Sequence, residues 1–137
     1  LDKVLRAFFV PTYCSTPVKI LNHKGKNILY LNVSYGDMLD KKQEVLDLIE
    51  EAKSYIAKQA PNSLLTLTNA TGLRFSMELV NTLKEFTTHN QPFIKAAAIV
   101  GVTGLQKIAY DTVIKFTGRK IPIFPSVEEA MDWLVEQ

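Results

Sequence analysis

Lys95-Ala-Ala-Ala-Ile-Val-Gly-Val-Thr-Gly-Leu-Gln-Lys-Ile-Ala-Tyr-Asp-Thr-Val-Ile-Lys-Phe-Thr-Gly-Arg-Lys-Ile-Pro-Ile-Phe124 is the stretch that decides the fold. Ile94 to Val100 is apolar without alternation, as a strand covered on both faces requires. Gly101 and Gly104 make a turn. Thr103 and Gln106 then stand at the N-cap and N3 spacing of a capping box. Leu105, Ile108, Ala109, Val113 and Phe116 recur as the inward stripe of a helix. Gly118 falls where a helix ends on a left-handed residue. Ile121 to Phe124 is a second strand, and Pro122, which has no ladder donor, places it at a sheet edge. Strand, helix, strand in this order predicts a parallel pair with a right-handed crossover.

The same alternation extends upstream. Phe75 to His89 has helical spacing, with Phe75, Leu79, Leu83 and Phe86 on one stripe. Before it, Leu64 to Thr68 is a short strand leading into the turn Asn69-Ala70-Thr71-Gly72. Lys41 to Ala60 is the longest helical pattern, with Val45, Leu48, Ile49, Ala52, Tyr55 and Ile56 inward and charges outward. Asp37 or Asp40 caps its start, and Pro61 ends it. Val18–Leu21 and Asn27–Tyr35 flank a polar, glycine-bearing centre and predict a β-hairpin. In its second strand Tyr30, Asn32 and Ser34 alternate with Leu29, Leu31, Val33 and Tyr35, which predicts one buried face. Residues 1–16 read as an arm and loop broken by Pro11. Downstream, Ser126 and Glu129 form a second capping box, and Ala130, Trp133 and Leu134 the apolar side of a last helix. The expected fold is α/β: a mixed, mostly parallel sheet of four to five strands with an N-terminal hairpin, flanked by about four helices.

Composition bounds the function. At 137 residues, with 47% hydrophobic and 22% charged residues, residues 1–137 read as a single soluble domain. A net charge of +2 without clustered Lys and Arg points away from nucleic acid. No apolar run approaches the ~20 residues of a membrane span, so no integral membrane segment is expected. The first ten residues are too short and too charged in their apolar part for a signal peptide. One cysteine, Cys14, excludes an internal disulfide and a thiolate zinc cluster, and suits a reducing cytoplasm.

No catalytic constellation stands out. Gly101-Val-Thr-Gly104 opens a helix and has the amides for an anion, but it lacks the third glycine of a dinucleotide fingerprint and the Lys-Ser/Thr of a P-loop. Such glycines more often just allow a tight strand-to-helix turn. Together with the upstream turn it makes Asn69, Thr71, Gly72, Gly101, Thr103 and Gly104 the candidate binding residues, at the strand ends where open α/β sheets carry ligands. Lys107, Asp111 and Lys115, followed by Arg119 and Lys120, read as surface ion pairs and helix-end cations. His23 and His89, the two histidines, have nothing at metal-ligand spacing beside them. There is no nucleophile elbow. Neither a metal nor a cofactor is expected.

Four segments in order carry a resemblance: Leu64-Leu-Thr-Leu-Thr-Asn-Ala-Thr-Gly72, Ile94 to Leu105, Phe116-Thr-Gly-Arg-Lys-Ile-Pro-Ile-Phe124, and Glu128-Glu-Ala-Met-Asp-Trp-Leu134. In this order they resemble the SpoIIAA-like family, bacterial α/β domains of STAS and SEC14 type related to anti-anti-sigma factors. The resemblance spans about residues 18 to 136. It implies a cytoplasmic, non-enzymatic regulatory or interaction module that binds a protein partner or a second copy of itself. Anti-anti-sigma factors carry a phosphorylatable serine in an Asp-Ser-Ser/Thr-Gly motif. The corresponding stretch here is Leu73 to Glu78, where Ser76 is the candidate phosphorylation site, beside Arg74, without the motif's Asp and Gly. The SEC14 comparison implies instead a small apolar or lipid-like ligand. That alternative predicts a pocket of roughly 300 Å³ or more, lined by residues such as Phe75, Leu79, Ile108 and Phe116. An enzyme, the third class, would gather Asn69, Thr71, Ser76 and Thr103 in one cleft.

Overall fold

The computed structural model describes residues 18–34, 42–73, 77–104, 106–118 and 120–137. Strands β1 (Val18–His23) and β2 (Lys26–Asn32) pair antiparallel as the expected hairpin. Lys24 and Gly25 join them at φ 51° and 83°, the left-handed pair that a two-residue turn needs to match the twist of its strands. The chain continues through α1 (Lys42–Ile56), β3 (Leu64–Asn69), α2 (Met77–Asn90), β4 (Ile94–Val100), α3 (Gln106–Thr117), β5 (Ile123–Phe124) and α4 (Val127–Val135). The strands lie side by side in chain order, β1-β2-β3-β4-β5. Pairs from β2 to β5 are parallel. The described residues therefore form an α/β fold with a five-stranded mixed sheet and four helices.

Each strand divides its side chains between two apolar layers. Leu29, Leu31 and Val33 of the β2 segment pack with Leu48, Ile49 and Ile56 of α1 and Phe86 of α2. Ile28 and Tyr30 pack on the other face with Ala130 and Leu134 of α4. The prediction of one buried face for β2 is thus corrected: Ile28, Leu29, Tyr30 and Leu31 are all buried. The alternation is real, but helices cover both sides of the strand. β2 also ends at Asn32, three residues before the predicted Tyr35. Leu67 and Leu134 are fully buried in the second layer, each contributing about 1.5–3 kcal/mol in transfer terms.

Two terminal elements follow their sequence signals. β5 is a two-residue edge strand, and Pro122 beside it accepts from Ile99 N (3.1 Å) where it cannot donate. Ser126 caps α4 by accepting from Glu129 N at 3.2 Å. Helix α3 departs from its predicted orientation. Ile108 and Phe116 face solvent, 66% and 63% exposed, while Val113 is buried and Tyr110 packs against the α1–α2 layer. Two stripes that share Val113 compete for the inside of this helix. The Tyr110 hydroxyl donates to the Ile121 carbonyl, so the stripe carrying this bond turns inward. Leu105 of the predicted stripe lies outside the described residues. No described helix is long and apolar enough to cross a membrane.

Candidate functional site

β2 and β3 end in the same local design. Asn32 and Asn69 are register partners at the C-terminal ends of these strands. Asn32 Oδ1 accepts from Ser34 N (3.1 Å) and Ser34 Oγ (2.6 Å). Asn69 Oδ1 likewise accepts from Thr71 N (3.1 Å) and Thr71 Oγ1 (2.7 Å). Such turns replace ladder bonds where the strand stops. The remaining group of Asn69 is used too: Nδ2 donates to the Tyr30 hydroxyl at 2.9 Å.

The end of β4 closes onto this turn. Gly101 holds φ +84°, and a Cβ there would lie 2.5 Å from Thr71 N and 2.6 Å from Thr71 Cα. Only glycine allows two backbones so close. Ala70 N donates to Val100 O at 2.9 Å, carrying the pairing past both strands. Gln106 fastens the junction. Its Oε1 accepts from Thr103 N (3.0 Å), the return half of the predicted capping box, and its Nε2 donates to Ala70 O (2.9 Å) and Leu73 O (2.6 Å).

The structure therefore brings Asn69, Thr71, Gly101 and Thr103 into one bonded unit. Gly72 (φ 67°) and Gly104 (φ 55°) supply left-handed turn conformations beside it. Thr71, Gly72, Thr103 and Gly104 are exposed. Among the residues bonded here, Tyr30 alone carries an ionisable side chain, and its hydroxyl is taken by Asn69. Among the described residues the arrangement presents hydroxyls and turn backbone on a braced frame, without an acid–base pair. Gln106 was legible as a capping residue but not as the tie between two turns, because its partners are backbone carbonyls over thirty residues away.

Beneath α1, α2 and α3 the floor of the sheet mixes small side chains with Leu31, Val33, Ile94 and Ile99. Thr66, Thr68 and Ala70 from the β3 segment and Ala97 from β4 line a cavity of about 110 Å³, roofed by Leu83 and Phe86 of α2 and Tyr110 and Val113 of α3. The predicted pocket is corrected in place and size. Ile108 and Phe116 lie on the outer face of α3, and Leu79 is buried within the apolar layer. A volume of about 110 Å³ falls well below the roughly 300 Å³ of drug-sized sites. Phe75, Arg74, Ser76, Asp37, Asp40, Cys14 and the rest of the arm lie outside the described residues.

The hairpin tip carries a charged latch that its sequence does not announce. His23 Nε2 lies 2.7 Å from Asp132 Oδ1 on α4, and Lys24 Nζ 3.1 Å from the same oxygen. Lys26 Nζ donates to Val135 O at 2.7 Å. Hydrogen bonding from His23, then from Lys24, holds the Asp132 carboxyl below its ordinary value of 3.8. His89, at the other helix end, bonds Asn90 Oδ1 at 3.0 Å. Among the described residues no three His, Cys, Asp or Glu side chains gather at a metal-binding distance.

Comparison with known proteins gives no matching family model, curated relative or solved structure. The likeness to SpoIIAA-like domains rests on the sequence segments alone.

Proposed function

We propose that the chain is a cytoplasmic regulatory or interaction module of SpoIIAA-like type, without a reaction of its own, that works by docking a second copy of itself. The outer face of α3 carries this reading. Ile108, Thr112 and Phe116 follow one another every fourth residue, and the two large apolar side chains are mostly exposed. Met77, in the first turn of α2, is 77% exposed. Large apolar side chains left exposed on an outer helix face mark sites of association. The stripe is symmetric about Thr112. A two-fold axis there sets Ile108 of each copy against Phe116 of the other, the self-complementary contact that a closed dimer requires.

Sedimentation across the micromolar range tests it. The expected result is a reversible dimer, converted to monomer by Ile108→Glu or Phe116→Glu with the circular dichroism spectrum retained. A chain that stays monomeric throughout, or a dimer indifferent to both substitutions, overturns the second copy as occupant.

A further inference from the structure

The two edges of the sheet are guarded unequally. β5 is two residues long with Pro122 beside it, devices that blunt an edge. β1 runs six residues, Val18–His23, without proline, glycine or a register shift. The two-residue turn makes His23 and Lys26 a hydrogen-bonded pair. Every second residue of β1 therefore turns its main chain to β2, and Val18, Ile20 and Asn22 turn theirs outward. The far side of β2 agrees. Val33 N donates to Asn69 O at 3.0 Å, so Asn27, Leu29 and Leu31, the partners of these three residues, face β3. Among the described residues the outward groups of Ile20 and Asn22 have no main-chain partner.

The lysines that could defend this edge are committed elsewhere. Lys24 reaches Asp132, and Lys26 the Val135 carbonyl. The Lys19 ammonium lies over the Tyr30 ring, 5.6 Å from its centroid, drawn back toward β2. Open strand groups are satisfied by an extended segment. Charge selects its source. Residues 18–34 include Lys19, His23, Lys24 and Lys26 but neither Asp nor Glu, so a second β1 would set like charge against like. We propose that β1 binds an extended segment of another protein, with apolar and acidic residues in alternation, as an added strand. Period two assigns the sides: apolar residues beside Val18 and Ile20, which is 42% exposed, and a carboxylate beside Lys19. The site is independent of the α3 contact.

Titration of a short blocked peptide alternating valine and glutamate into the ¹⁵N-labelled full chain at neutral pH tests it, with the valine–lysine peptide as control. Saturable amide shifts are expected in β1, with slowed exchange at Ile20 and Asn22. The glutamate peptide should bind roughly tenfold more tightly than the control, an advantage that shrinks with salt. Ile20→Pro removes an outward N–H but no β1–β2 bond, and should abolish binding. Lys19→Glu, a surface change that leaves the hairpin intact, should reverse the preference between the peptides. Absence of saturable shifts, or shifts confined to another element, overturns the site. Equal affinity for the two peptides, or a preference unmoved by Lys19→Glu, overturns the acidic class. An Ile20 amide already protected without peptide assigns the edge to the chain itself if dilution leaves it protected, or to a second copy if dilution releases it; either overturns the proposal.

Discussion

Gly101 and Thr71 meet backbone to backbone: a Cβ added to Gly101 would lie 2.6 Å from the Thr71 Cα. Relief would have to come from main chain, because no side-chain rotation moves a Cα. Gly101→Ala should therefore cost about 2–4 kcal/mol in urea unfolding. Gly104 is the internal control. It also has positive φ, +55°, but an added Cβ there meets nothing within 4 Å. Gly104→Ala should cost about 1 kcal/mol, the conformational part alone. Equal losses at the two glycines would contradict the close approach.

Gln106→Leu should strip the Ala70 and Leu73 carbonyls of their side-chain donor. A loss of about 1–3 kcal/mol is expected. Amide exchange reports where it falls. The Leu73 amide, bonded to Ala70 O at 3.0 Å, should exchange faster, while the centre of α1 keeps its protection.

Asp132 sets an acid dependence whose sign follows from its partners. Its folded pKa is lowered by hydrogen bonds from His23 and then Lys24. A depressed carboxylate contributes stability that is fully present above its unfolded value and lost as pH falls through the lower folded value. Asp132→Asn should flatten the acid limb of a stability–pH curve below about pH 4 and leave its upper shape less changed. An unaltered acid limb would show that the latch does not form in solution.

Phe86 and Phe116 test the orientation of the helices. Phe86 is buried at 8% exposure and Phe116 stands 63% exposed, beneath the Lys84 ammonium at 5.0 Å. Phe86→Ala should cost about 3–5 kcal/mol. Phe116→Ala should cost under about 1 kcal/mol, the scale of an exposed cation–π contact. Thermal unfolding of the two variants at a fixed, low protein concentration separates them.

Elements with strong local signals were legible before any coordinates. The hairpin (though not the two-residue length of its turn), the cap at Ser126, the edge position of Pro122 and the alternation of strands and helices all rest on interactions within a few residues. The adjacency of the Asn69–Gly72 and Gly101–Gly104 turns also followed, since consecutive parallel strands put their ends at one side of the sheet. What escaped depends on contacts far apart in the chain. Helix α3 offers two stripes through Val113, and the Tyr110–Ile121 bond favours one of them. Tyr30 looked solvent-facing because α4, which buries it, arrives about a hundred residues later. His23 found Asp132 across the same distance.

The strands succeed one another across the sheet without a reversal among those described. Crossovers α1, α2 and α3 therefore step in one direction over one face. In open α/β sheets a ligand crevice opens at a topological switch point, where neighbouring crossovers depart to opposite sides. From β2 to β4 the described progression contains no such parting; it comes only at β5, which leads into α4 on the opposite face. Its loops are pulled shut, Gly101 against Thr71, instead of splayed. The ends of β3 and β4 are thereby held as one closed surface, which a substitution at either turn would reopen.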